Sequence, residues 1–106
     1  MSQLRLHQEI GEYQFEGPYL GLKRIPNGKG IYAIVSHDGK KYYLLDIAYS
    51  EDIKKDCKNN SRKECWEHFK KGNIHFAFLQ GKQMDEATYK SIVKEIREKY
   101  EKIPCG

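Results

Sequence analysis

Residues 30–48 read Gly-Ile-Tyr-Ala-Ile-Val-Ser-His-Asp-Gly-Lys-Lys-Tyr-Tyr-Leu-Leu-Asp-Ile-Ala. Ile31 to Val35 and Tyr42 to Ile47 are two runs of β-branched and aromatic residues. Between them, Asp38-Gly39 supplies the positive φ that a tight hairpin turn needs. The apolar runs are almost continuous instead of alternating, so the hairpin is expected in a sheet covered on at least one face. A lone hairpin is marginal in water, so the rest of the chain must cover it.

Downstream the period changes. Ser50 is the expected N-cap of a short helix, with Glu51 and Asp52 in its first turn, Ile53 and Cys57 turned inward, and Asn59-Asn60 closing it. Ser61-Arg62-Lys63-Glu64 reads as a capping box that opens a second helix. That helix is expected to bury Cys65, Trp66 and Phe69 and to end at Gly72. Ile74 to Leu79 reads as a third strand stopped by Gly81. From about Asp85 to Lys102, Tyr89, Ile92, Val93, Ile96 and Tyr100 form an apolar stripe at helical spacing. Upstream, 1–12 reads as an N-terminal arm using Leu4, Leu6 and Ile10, Tyr13 to Phe15 as a short strand, and 19–30 as a glycine-rich connector. The expected fold is a small α/β (α+β) domain. Its three-stranded antiparallel sheet is covered by helices in the order hairpin, helix, helix, strand, helix.

The 106 residues suit one domain. No apolar run is long enough to cross a bilayer, so no membrane partner is expected, and residues 1–7 lack the apolar core of a signal peptide. Three cysteines without regular spacing point to a cytoplasmic protein with reduced thiols. Cys57, Cys65, His68 and Cys105 match no standard zinc spacing. Burial of Cys57 and Cys65 as small apolar residues is the simpler reading, and Cys65 with His68 lacks the third partner of a nucleophilic site. The net charge of +4 permits attraction to nucleic acid without requiring it. Basic residues concentrate in two short helical segments at Lys54, Lys55, Lys58, Arg62, Lys63, Lys70 and Lys71, of which the first five are the candidate phosphate-facing residues. They are interleaved with Glu51, Asp52, Glu64 and Glu67, as on an ordinary solvated helix face. Tyr49, in a tyrosine-rich sheet region, is a candidate for stacking on bases or packing on a protein partner.

Pro26, then Gly30-Ile31-Tyr32, a hairpin, the strand ending Asp46-Ile47-Ala48, the helix with Cys65-Trp66, a third strand, and Lys94 to Tyr100 followed by Pro104-Cys105-Gly106 together resemble the GIY-YIG nuclease superfamily. They are similar in particular to a branch of small, stand-alone bacterial members, over about 15–106. The resemblance implies a DNA endonuclease using one divalent metal. Two hairpin tyrosines would sit by the attacking water, an arginine on the first helix would face the phosphate, and a glutamate on the last helix would hold the metal.

Residue by residue, the chain keeps little of that set. Tyr32 matches the first tyrosine, but Asp46 stands at the second and Ala48 replaces the glycine of that motif. Asp56 stands at the arginine, Asn60 where active members of the branch have a histidine, and Val93 at the metal-binding glutamate. Valine offers Mg²⁺ no oxygen, and Asp56 would repel a phosphate. The expectation is therefore an inactive GIY-YIG-like domain without a cofactor that binds nucleic acid, such as DNA, or another protein. The alternative is a Mg²⁺-dependent endonuclease with a rearranged site, for instance around an Asp46–Asp56 carboxylate pair. Glu86 and Glu95 are the nearest acids that a slipped alignment would bring to the metal position.

Overall fold

The computed structural model describes residues 3–4, 9–100 and 102–106. The organising hairpin is β5 (Gly30–His37) and β6 (Tyr42–Ser50), paired antiparallel from Gly30↔Ser50 to His37↔Tyr42. Its turn is built as expected from Asp38-Gly39. Gly39 has φ +97°, and Asp38 Oδ1 accepts from the Lys40 and Lys41 amides at 2.9 and 2.8 Å. β7 (Asn73–Leu79) pairs antiparallel with the other side of β5, which makes β5 the central strand.

The expected three strands are only the middle of the sheet. β4 (Glu16–Tyr19) adds to β7, and the two-residue β1 (Gln3–Leu4) adds to β6, giving the order β1-β6-β5-β7-β4. A separate pair, β2 (Glu9–Ile10) with β3 (Tyr13–Gln14), forms a second small sheet. Much of the N-terminal arm therefore belongs to the fold, since Leu4 and Ile10 are both core residues; Leu6 lies outside the described residues. β3 falls within the short strand expected at Tyr13 to Phe15, whereas β1, β2 and β4 escape sequence reading because two to four residues carry no measurable period.

Three helices follow the expected order: α1 (Ile53–Lys58), α2 (Lys63–Phe69) and α3 (Glu86–Lys99). Their caps differ from expectation. Ser50 is the last residue of β6, and Asp52 caps α1 by accepting from the Lys55 amide. α2 starts at Lys63 after Arg62, without a side-chain cap, so the Ser61–Glu64 box does not form. α3 is capped by Asp85 and ends three residues before Lys102.

Alternation along β5 divides the core in two. Ile31, Ala33 and Val35 pack against Tyr89, Ile92, Val93 and Ile96 of α3. Tyr32 and Ile34 pack against Ile53 and Cys57 of α1 and Trp66 of α2. Covering on both faces accounts for the continuous apolar runs. Gly30 is needed where α1 meets this sheet: a Cβ there would lie 2.6 Å from Ile53 Cδ1 and 2.7 Å from the Leu79 carbonyl.

Cys65 and Cys105 are joined by a disulfide, which corrects the expectation of reduced thiols and of Cys65 as a buried apolar residue. Cys57 is the free thiol and is fully buried, as expected. Phe69, expected to be buried, is 46% exposed.

Candidate functional site

The β5–β6 pairing slips between Ile34 and Val35: Ile34 faces Asp46, Val35 faces Leu44, and Leu45 is left over as a bulge. A bulge re-aims the side chains beside it. Here Leu45 joins the core cluster of Tyr32 and Ile34 on the α1/α2 side, next to Asp46. The slip thus seats a carboxylate inside an apolar layer, where it must be fully hydrogen-bonded.

It is. Asp46 has no exposed surface. Its Oδ1 accepts from the Ile47 amide at 2.8 Å, and its Oδ2 accepts from Trp66 Nε1 at 2.8 Å and pairs with Arg62 Nε at 2.9 Å. Arg62 then reaches Tyr32: its Nη2 donates to the Tyr32 hydroxyl at 2.8 Å, beside the Asn60 Nδ2 donor at 2.9 Å. Asn60 Oδ1 in turn accepts the Arg62 amide at 2.8 Å, which fixes the turn between α1 and α2. One guanidinium therefore ties both candidate catalytic positions on the hairpin to the helix layer.

The protonation tendencies follow from this burial. Desolvation raises the Asp46 carboxyl above its ordinary range, against the pull of Trp66, Arg62 and the Ile47 amide. Burial likewise raises the Tyr32 phenol; Arg62 opposes the rise and Asp46 adds to it. A phenol shifted upward is a poorer base at neutral pH. Cys57, on the buried side of α1, is pushed up to about 12 by burial and by the nearby Asp56 and Asp46.

The other sequence-derived positions lie apart from this network. Asp56 is half-buried and accepts a hydrogen bond from the Ser50 hydroxyl, which also receives the Asp52 amide at 3.0 Å. With Tyr49, Glu51 and Lys55 these residues line a polar cleft that Asp46, fully buried, does not reach. Val93 packs among the α3 core residues, on the sheet face opposite Tyr32. Of the two slipped-alignment acids, Glu86 pairs with Lys90 at 2.8 Å and Glu95 accepts from the Tyr13 hydroxyl at 2.5 Å. Both lie on α3, away from the network.

Among the basic candidates, Arg62 is drawn into the network. Lys55, Lys58 and Lys63 are exposed and Lys54 is half-buried, and none of the four forms an ion pair among the described residues. Tyr49 turns toward α3: its ring stacks on Tyr89 at 5.8 Å, with Lys90 Nζ 5.7 Å from its centroid.

These donors do not fit the divalent cation that the resemblance implies. Mg²⁺ needs open oxygen ligands, but both Asp46 oxygens are engaged by donors and Val93 has none to offer. Among the described residues no three His, Cys, Asp or Glu side chains converge. The zinc reading fails because Cys65 and Cys105 are bonded to each other, and the same bond removes Cys65 as a nucleophile. His68 packs edge-on against Phe69 instead. His37 is half-buried, stacked 4.0 Å from Tyr42 with His75 at its edge.

Sequence reasoning named Tyr32, Asp46, Asn60 and Arg62 separately but did not join them, and it gave Trp66 only a packing role. A signal was available: a buried indole N–H seeks an acceptor, and an aspartate inside an apolar strand seeks donors. The chain matches no protein-family model, no curated protein and no solved structure.

Proposed function

We propose that the chain is a GIY-YIG-like domain whose cutting site has become part of the core, and that it acts as a nucleic-acid-binding module. The supporting observation is the Tyr32–Arg62–Asp46–Trp66 network. Tyr32 and Asp46, the two hairpin positions that would sit by the attacking water in an active relative, are instead tied together through Arg62, while Asp56 and Val93, at the phosphate and metal positions, lie apart from them. A group committed to such a buried network is costly to free for a substrate. The binding role is supported by the lysines of α1 and the start of α2, which form no ion pair among the described residues, on a chain of net charge +4.

Fluorescence anisotropy with labelled single-stranded and duplex DNA, titrated across salt, tests this reading. Affinity is expected to fall linearly on a log–log plot, with a slope near −0.9 per duplex phosphate contacted. Lys55→Glu with Lys58→Glu is expected to weaken binding and flatten that slope, leaving the buried network intact. Absence of binding at low salt would remove the nucleic-acid role and leave a protein-interaction module.

A further inference from the structure

We propose that the cleft between the end of α2 and segment 102–104 binds a small organic anion with an apolar body. The cleft encloses about 380 Å³, at the low end of the roughly 300–1,000 Å³ typical of small-molecule sites. β6 contributes Tyr43 and the bulge residue Leu45; Ile103 and Pro104 come from the facing segment, and Phe69 from the end of α2. Phe69 and Leu20 are the two exposed large apolar side chains among the described residues. In Phe69 the cleft thus has a ring left in water for a ligand to cover.

The charge around this apolar lining is one-sided. Lys71 and Lys102 stand at the cleft, and no acidic side chain lines it among the described residues. Lys71 Nζ is held 4.8 Å from the Tyr43 ring centroid, which keeps the ammonium beside the opening. The second apolar cleft, around Leu20, Trp66 and Phe76, differs: there Lys63 is flanked by Glu64 and Glu67. Of these two clefts, the first is the one whose described lining offers net positive charge to an anionic head.

The site is also braced. The Cys65–Cys105 disulfide anchors segment 102–106 to α2, and the Cys105 amide donates to the Leu45 carbonyl at 2.8 Å. A wall fixed before binding loses little freedom when a ligand enters. Neither Lys71 nor Lys102 belongs to the basic set invoked for nucleic acid, so this site stands or falls independently of that role.

Methyl-detected NMR of the oxidised protein, titrated with octanoate and in parallel with neutral octanamide, tests the proposal. Octanoate is expected to shift the Leu45 and Ile103 methyl signals saturably and to bind about fivefold more tightly than octanamide, on the scale of one exposed ion pair. Lys71→Gln with Lys102→Gln is expected to remove that preference while leaving octanamide binding unchanged; Phe69→Ser is expected to weaken both. The proposal is overturned by unsaturable shifts, by equal affinity for the two probes, by shifts centred on Ile74 of the second cleft, or by displacement of octanoate by oligothymidylate.

Discussion

Arg62 and Asp46 meet at 2.9 Å, joining the turn before α2 to the bulged strand β6, although Asp46 is fully buried and the Arg62 side chain is 37% exposed. The guanidinium also holds the Tyr32 hydroxyl, so one side chain satisfies a buried acid and a buried phenol together. Arg62→Ala should therefore destabilise the fold by about 2–4 kcal/mol. That is below the usual 3–5 for breaking a fully buried pair because the arginine is partly solvated. Arg62→Lys should not restore the loss, since an ammonium cannot span both partners in the planar fork geometry. Urea denaturation of the variants, with Tyr32→Phe completing a double-mutant cycle, measures the coupling; additive effects would show that the three groups do not act as a unit.

The pH dependence of stability carries a definite sign. Burial raises the folded-state Asp46 carboxyl above its ordinary value of 3.8. Between those two values the folded chain holds a proton that the unfolded chain has released, so the Asp46 contribution falls as pH rises through that window. The stability of the wild type relative to Asp46→Asn should accordingly decline with rising pH from the ordinary aspartate value upward. A difference that grows with pH would mean that Arg62 and Trp66 outweigh desolvation.

Placing an acid at Val93, the metal position that the GIY-YIG resemblance implies, should not create a metal site. Val93 is 8% exposed and packs with Ile31, Ala33 and Ile92, on the sheet face away from Tyr32. Val93→Glu would bury a carboxylate without partners, at a cost of at least about 2 kcal/mol. At roughly 4–8 °C per kcal/mol for a domain of this size, the melting temperature should drop by about 10 °C or more. Added Mg²⁺ should not recover it. Recovery on titrating Mg²⁺ would reveal a binding site in the native state.

Thiol chemistry separates the three cysteines. Cys65 and Cys105 close a loop with a sequence separation of 40, so Cys65→Ser with Cys105→Ser should cost about 2–4 kcal/mol. Cys57, buried and pushed up to about 12, should resist iodoacetamide in the native protein at mildly alkaline pH. Mass spectrometry of the oxidised chain should then show no alkylation when folded and one adduct after denaturation. Two or three adducts in the unreduced, unfolded protein would contradict the disulfide.

What could be read from the residues was what repeats locally. The hairpin announced itself through two β-rich runs around Asp38-Gly39, and α3 through its stripe from Tyr89 to Ile96. The order of helices and of β7 followed from the same periods. Strands such as Gln3–Leu4 and Glu9–Ile10 are too short to show a period, and they exist because β6 and β3 offer them partners. Ser50 and Ser61 looked like helix caps, but tertiary context decided otherwise: Ser50 stays in the ladder opposite Gly30. The Cys65–Cys105 bond and the Arg62 network join residues far apart in the chain. Only the bulge at Leu45 and the packing of α2 bring the network partners together, so no spacing rule could join them.

A plasmid cleavage assay is the sharpest check on the proposal that the pocket implied by the GIY-YIG resemblance serves architecture instead of chemistry. Supercoiled plasmid is incubated with the purified chain and Mg²⁺ or Mn²⁺, beside Tyr32→Phe and a protein-free blank. No nicking above the blank is expected with either metal. Metal-dependent nicking by the wild type that disappears in Tyr32→Phe would contradict the proposal.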